Sequence, residues 1–291
     1  MKLAPISLAL SLLALGSVWF FHAQDHRVSP LQKETAFERV MRTQTIRCAY
    51  ASWPPYFKID PNTKQKSGIF YDLTEAIGKS ANLKIEWGEE VSYSLVSQNL
   101  SSGKQDVFCG LMWTSPHRGK RIEFTAPIAY MPLYAYVREG DARFDHNLAA
   151  INDNRITIAS QDGSSMQGIA SATFPLAKQF TIPELSDAVQ VIANVAAGKA
   201  DVVFVNPDTM RDYNRNNPGK SLRLVPSATP LRLFGESLGV AKGEWELRDF
   251  LNVVLAELQG DGTIDRILTQ YETEPGSFKR VAHPYVDTDK Q

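Results

Sequence analysis

Short apolar runs and segments of helical periodicity alternate along most of the chain. Ile46–Ala51 is an apolar run bounded by polar residues and predicts a strand. In Asp72–Ser80, Leu73, Ala76 and Ile77 fall at helical spacing, with Asp72 as the predicted N-cap. Leu83–Trp87 alternates as a strand does, Tyr93–Leu100 reads as a helix ending near Gly103, and Asp106–Leu111 reads as a buried strand. The order then recurs. Arg155–Ser160 predicts a strand, Ser164–Ala172 and Ala188–Ala197 helices, and Val202–Val205 a strand. Strand–helix alternation of this kind implies βαβ units and a mainly parallel sheet in each lobe of a two-lobed α/β protein.

An internal echo supports two similar halves. Gly103-Lys104-Gln105-Asp106-Val107 matches Gly198-Lys199-Ala200-Asp201-Val202, and an apolar helix precedes each copy. The glycine ends the helix, the lysine suits its negative end, and the aspartate opens a buried strand.

At the N-terminus, Lys2 is followed by Leu3–Phe21, a stretch without a charge. As a helix it would rise roughly 28 Å, close to the hydrocarbon thickness of a bilayer. The same stretch suits a secretory signal. Ala14-Leu15-Gly16 has small residues at cleavage spacing but would leave Val18–Phe21 on the mature chain, and a cut after Ala23 puts Phe21 where a small residue belongs. Residues 1–23 are therefore a signal peptide or a membrane anchor, 24–35 a linker, and the remainder is exported. The tail, 274–291, carries Pro275, Gly276 and Pro284 and reads as a surface strap or a frayed end.

Length and charge narrow the class. The 291 residues suit two lobes better than one core, and 43% apolar with 22% charged residues is the composition of a folded protein. With 31 basic against 32 acidic residues there is no field to hold a nucleic-acid backbone. Two cysteines, Cys48 and Cys109, exclude a disulfide-dense scaffold and a four-thiolate zinc site, and the five histidines lack metal-ligand spacing. No metal or cofactor is expected. Gly163-Ser164-Ser165-Met166-Gln167 lacks the second glycine of a nucleophile elbow, and neither a P-loop nor a dinucleotide fingerprint occurs.

The candidate chemistry lies in loops after strands, where open α/β sheets bind ligands. Two prolines stiffen Ser52-Trp53-Pro54-Pro55-Tyr56-Phe57, holding its aromatics in place; the alternative is that Trp53 and Tyr56 only cover the core. In Trp113-Thr114-Ser115-Pro116-His117-Arg118, Ser115 caps a short helix with Pro116 in its first turn. Arg118 is then placed to grip a carboxylate through two parallel bonds, unless it pairs with Glu123 on the surface. Gln161-Asp162-Gly163-Ser164-Ser165 opens a helix whose free N–H groups and hydroxyls form an anion seat, or serve capping alone.

Over roughly residues 36–272 the chain resembles the extracytoplasmic solute-binding proteins of family 3, the polar-amino-acid-binding type of ABC importers. The landmarks are Ile46-Arg47, Trp53-Pro54-Pro55-Tyr56, Gly68 to Asp72-Leu73, Gly103–Val107 and Pro116-His117-Arg118 with Ile122-Glu123-Phe124-Thr125. Gln161–Ser165, Gly198–Val202 and Gly260-Asp261-Gly262-Thr263 complete them. The resemblance implies a type II periplasmic-binding-protein-like fold whose lobes close on a ligand by hinge bending. Lobe 1 is expected at 36–137 plus 235–273 and lobe 2 at 138–234, with crossings near Val137–Gly140 and Pro230–Gly235. It further implies that Trp53 packs on the ligand, that Arg118 grips its α-carboxylate, and that Gly163, Ser164 and Ser165 donate to it from the other lobe.

Three departures change the expected ligand. Asn206 stands where the family has the acid that meets the ligand ammonium, Phe70 replaces an acid, and Trp113 replaces a small hydroxyl residue. All three are placed in the cleft, so the expected ligand is a small carboxylate-bearing solute, an amino acid or a related compound, with an aromatic or uncharged one set beside the standard polar amino acids. The expected protein is a periplasmic, monomeric, non-enzymatic carrier that delivers a small-molecule solute to an inner-membrane ABC permease. A membrane-tethered sensing module and a dehydratase-like enzyme on the same scaffold are the alternatives. Cys48 and Cys109 fall on neighbouring strands; free buried thiols are favoured, and export keeps a bridge open.

Overall fold

The computed structural model describes residues 34–183, 186, 188–227, 229–272 and 277–281. The candidate signal or anchor, 1–23, and the linker up to residue 33 lie outside the described residues.

Lobe 1 opens with helix α1 (Ala36–Thr43), started by a capping box between Thr35 and Glu38. Strands β1 (Thr45–Tyr50), β4 (Lys84–Glu90) and β5 (Val107–Trp113) run parallel in the order β4-β1-β5. Between them lie the hairpin β2 (Lys58–Ile59) and β3 (Lys66–Ser67), helix α2 (Ile69–Ala81) and helix α3 (Val96–Ser101). Helix α4 (Pro116–Gly119) and strand β6 (Ile122–Phe124) follow. In lobe 2, β8 (Thr157–Gln161), β9 (Lys178–Ile182) and β10 (Val202–Val205) are parallel, with helices α5 (Ser165–Thr173), α6 (Ala188–Ala196) and α7 (Pro207–Asn216) and the short strand β11 (Leu222–Leu224). Helices α8 (Trp245–Gly260) and α9 (Thr263–Tyr271) return to lobe 1 and pack on α2.

Two antiparallel strands join the lobes, β7 (Ala129–Arg138) and β12 (Arg232–Ala241). The first half of β7 pairs with β12, and from Tyr134 onward its partner is β10. One connected sheet therefore runs β4-β1-β5-β12-β7-β10-β8-β9. The first crossing comes at Leu133–Tyr134, earlier than the expected Val137–Gly140, because Val137 and Arg138 already pair with lobe 2 strands. The second falls between β11 and β12, overlapping the expected stretch.

The sequence echo is an echo in geometry. Gly103 and Gly198 both take positive φ, 72° and 77°. Asp106 accepts from the backbone N–H of Arg47 at 2.7 Å, and Asp201 from that of Thr157 at 2.9 Å, so each aspartate ties its strand to the first strand of its lobe. Each also carries arginines, Arg39 and Arg47 on Asp106, Arg138 and Arg143 on Asp201. A carboxylate at a strand start must find donors once buried, and two-armed guanidinium partners supply them.

Two local expectations change, and between the two readings of the tail the described part favours the strap. Asp72 is inside α2 rather than at its cap, and accepts from the Tyr271 hydroxyl at 2.7 Å. The helix begins earlier, at Ile69, with Gly68 as its N-cap, whose φ of 116° and ψ of 170° suit glycine alone. A Cβ there would come 2.7 Å from the carbonyl oxygens of both Pro55 and Tyr56. Gly68→Ala is therefore expected to lose about 1–3 kcal/mol of stability, read from denaturant midpoints. Tyr93 and its two successors form a turn, and the helix predicted there starts at Val96. The tail does not fray over its described part: Phe278 is fully buried, β13 (Lys279–Arg280) pairs with β7, and Arg280 binds Asp265 and Glu272.

Cys48 and Cys109 are bonded to each other, correcting the expectation of free thiols. Cys48 lies opposite Val107 in the parallel register, so Cys109 is its diagonal neighbour two residues on. A step of two keeps both side chains on one face of the sheet, and the Cα atoms are 5.5 Å apart, within disulfide reach.

Candidate functional site

A cavity of about 580 Å³ opens between the carboxyl ends of the strands of the two lobes, a size suited to a small organic ligand. Trp53, Trp113 and Arg118 line it from lobe 1; Gly163, Ser164 and Ser165 line it from lobe 2. Six of the eight expected residues therefore share one wall system, although they come from three separate loops.

Arg118 is positioned from both ends. Ser115 caps α4 and accepts from the Arg118 backbone N–H at 3.3 Å, and Pro116 starts the helix. The guanidinium donates to the Trp113 carbonyl at 3.1 Å and lies over the Tyr93 ring, 5.7 Å from its centroid. Burial lowers the Arg118 pKa, opposed by the nearby Tyr93. Burial also pushes the Tyr93 hydroxyl well up, so it stays neutral. The surface alternative fails: Glu123 pairs with Lys242 and Arg248 instead. Among the described residues no carboxylate lies within ion-pair distance of Arg118. A desolvated cation facing a cavity, with donors still unspent, is a receptor for an anion.

The lobe 2 loop supplies fewer donors than expected. Gly163 has the positive φ the turn needs, 70°, but its N–H donates to the Gln167 side chain at 2.8 Å. The Ser164 hydroxyl accepts from the Gln167 N–H, and the Ser164 N–H donates to the Gln161 carbonyl. The first-turn N–H groups of Ser165 and Met166 remain for a ligand.

Trp53 is half-buried and held by a two-residue bridge to Phe57, with its N–H donating to the Phe57 carbonyl at 2.8 Å. Tyr56 and Phe57 belong to the core. Trp113 stacks on Phe234 of the hinge strand, with ring centroids 4.5 Å apart.

Two expected cleft residues lie elsewhere. Phe70 is fully buried in the lobe 1 core, because α2 already starts at Ile69 and turns residue 70 toward the sheet. Asn206 is buried at the start of α7, where its amide donates to the Tyr56 hydroxyl at 3.1 Å and accepts from Thr209 at 2.6 Å. Neither lines the cavity. The end of β4 and the loop after it were missed: Glu90, Ser92 and Tyr93 line the cavity. Their signal was available, since they too lie at or after the carboxyl end of a strand.

The sequence model of the bacterial extracellular solute-binding proteins, family 3, matches residues 46–274. The chain belongs to this family. An L-arginine-binding protein of Pseudomonas aeruginosa is 23% identical over 235 residues, covering 76% of this chain and 85% of the relative. In structure, the family 3 chain resembles an ancestral amino acid-binding protein described as a precursor of cyclohexadienyl dehydratase. That match has a TM-score of 0.69 at 22% identity, covering 81% of this chain and 99% of the other. An amino acid ABC transporter substrate-binding protein from Streptococcus pneumoniae, bound to L-arginine, gives 0.66 at 19% identity over 85% and 100%. These likenesses establish the two-lobed fold. Among the described residues no helix is long and apolar enough to cross a membrane.

Proposed function

We propose that this protein binds an amino acid or a related small carboxylate outside the cytoplasm and delivers it to an ABC importer, its lobes closing about β7 and β12. The observation that carries the reading is Arg118, a partly desolvated guanidinium on a cavity wall without an ion-pair partner of its own among the described residues. The names of the arginine-binding relative and of the transporter component bound to L-arginine support the solute class and the importer.

The carboxylate would sit between Arg118 and the N–H groups of Ser165 and Met166, clasped from both lobes. Such a bridge exists only when the cleft is shut, so the solute has differential affinity for the closed state. Trp53, Tyr93 and Trp113 would flank the solute's side chain. With Asn206 out of the cavity, Glu90 and Asp162 are the wall carboxylates open to an ammonium. This makes an α-amino acid with an aromatic or uncharged side chain the preferred solute.

A thermal-shift screen of amino acids beside their deaminated acids tests this. At 100 times its dissociation constant a true solute adds about 2.7 kcal/mol. Stabilisation by amino acids over the deaminated acids is expected; no shift from any carboxylate would overturn the reading. Binding is preferred over dehydratase chemistry because neither cavity-wall acid is secluded: Glu90 and Asp162 are exposed, and Asp162 accepts from Gln167.

A further inference from the structure

Behind the cavity, where the lobes meet beside the hinge, lies a set of buried polar side chains with no part in the site above. Glu236 is on the hinge strand β12, opposite Trp113 and Ala129 of lobe 1, and is fully buried. Neither of its carboxyl oxygens has a hydrogen-bond partner among the described residues. Asp208, in the first turn of α7 in lobe 2, is also fully buried. It accepts from the Ser277 hydroxyl of the C-terminal strap at 3.0 Å and pairs with Arg211 at 3.1 Å. Tyr56 of lobe 1 is within electrostatic reach of both acids, and its hydroxyl takes the buried bond from Asn206. Among the described residues, Tyr56 and Asp208, with Arg211 behind the latter, are the titratable and charged groups that face Glu236.

Two acids contributed by opposite lobes are thus buried within electrostatic reach of each other. Asp208 has a cation and a hydroxyl to hold its charge. Glu236 has neither, so its carboxyl is stable there only as the neutral acid. Burial, with the Asp208 charge adding to it, pushes its pKa up to about 8 from the ordinary 4.5.

We propose that Glu236 is a proton-operated latch: protonated, it lets lobe 2 rest against lobe 1, and ionised, it drives the lobes apart. The idea rests on the hinge closure proposed above. The sign follows from linkage. The closed state holds the proton more tightly than an open state that hydrates Glu236. Closure is therefore fully favoured below about pH 4.5 and weakens as pH rises through about pH 8. Within that window the closed-to-open ratio falls by up to about tenfold per pH unit.

Spin labels on the outermost strands of the two lobes, at Lys84→Cys in β4 and Lys178→Cys in β9, read the opening in the whole chain. Without solute, the distance is expected to lengthen between pH 5 and 8. With Glu236→Gln, which keeps the shape and removes the titration, it should stay short throughout. Should that variant misfold, Asp208→Asn decides, because losing the opposing charge lowers the Glu236 pKa and shrinks the lengthening. No lengthening in the parent chain, or the same lengthening in a folded variant, overturns the latch. A pool of the twenty common amino acids added at pH 8, where the solute-free chain is expected to be open, reads hinge closure separately: failure to shorten the distance defeats that reading, while the solute-free pH series judges the latch.

Discussion

Arg118→Ala is expected to lower solute affinity by two to three and a half decades while the protein stays folded. Removing one member of a desolvated charge pair costs about 3–5 kcal/mol, because the remaining charge keeps its desolvation penalty and loses its partner. Among the described residues the guanidinium makes only the bond to the Trp113 carbonyl and the contact with the Tyr93 ring, so little of the described fold depends on it. Arg118→Lys should recover part of the loss: it restores the charge but not the fork that meets both carboxylate oxygens. Isothermal calorimetry with the best solute from the screen reads the effect. Affinity of the alanine variant within threefold of the parent would remove Arg118 as the carboxylate anchor.

The second large effect is on stability. The Cys48–Cys109 bridge joins residues 61 apart. Closing a loop of that length removes enough unfolded-chain entropy to stabilise the fold by about 4 kcal/mol. The double variant Cys48→Ala/Cys109→Ala should lose close to that amount in urea or guanidinium unfolding. The parent should lose the same on reduction, and the variant should be indifferent to reductant. Thiol titration of the unfolded, unreduced protein should find none; two free thiols would show that the bridge does not form. The bridge joins β1 and β5, the strands that carry the Trp53 and Arg118 loops at their carboxyl ends, so its loss should also loosen the site.

What the linear order determined was local and periodic. The alternation of apolar runs with helical spacing specified the α/β class, and the Gly-Lys-x-Asp-Val echo marked two equivalent helix-to-strand joints. Each depends on neighbours within a few residues, so each is legible without the fold. The three loops that supply six cavity residues were legible for a related reason, since a loop after a parallel strand emerges on the ligand face whatever the rest of the chain does. Arg118 is the best case: Ser115 and Pro116 place it from within its own turn.

Tertiary structure alone decided matters where distant segments compete for one space. Asn206 and Phe70 sit in sequence where the cleft was expected, yet Tyr56 takes the amide and the lobe 1 core takes the ring. The early start of α2 follows from Gly68 lying against the Pro55 and Tyr56 carbonyls, a close approach that glycine permits but does not announce. The disulfide required a diagonal register between β1 and β5, and strand composition does not encode register along a fully buried strand. The burial of Asp208 and Glu236 is of the same kind. Each is an ordinary acid in its own segment, and both are buried only in the folded chain.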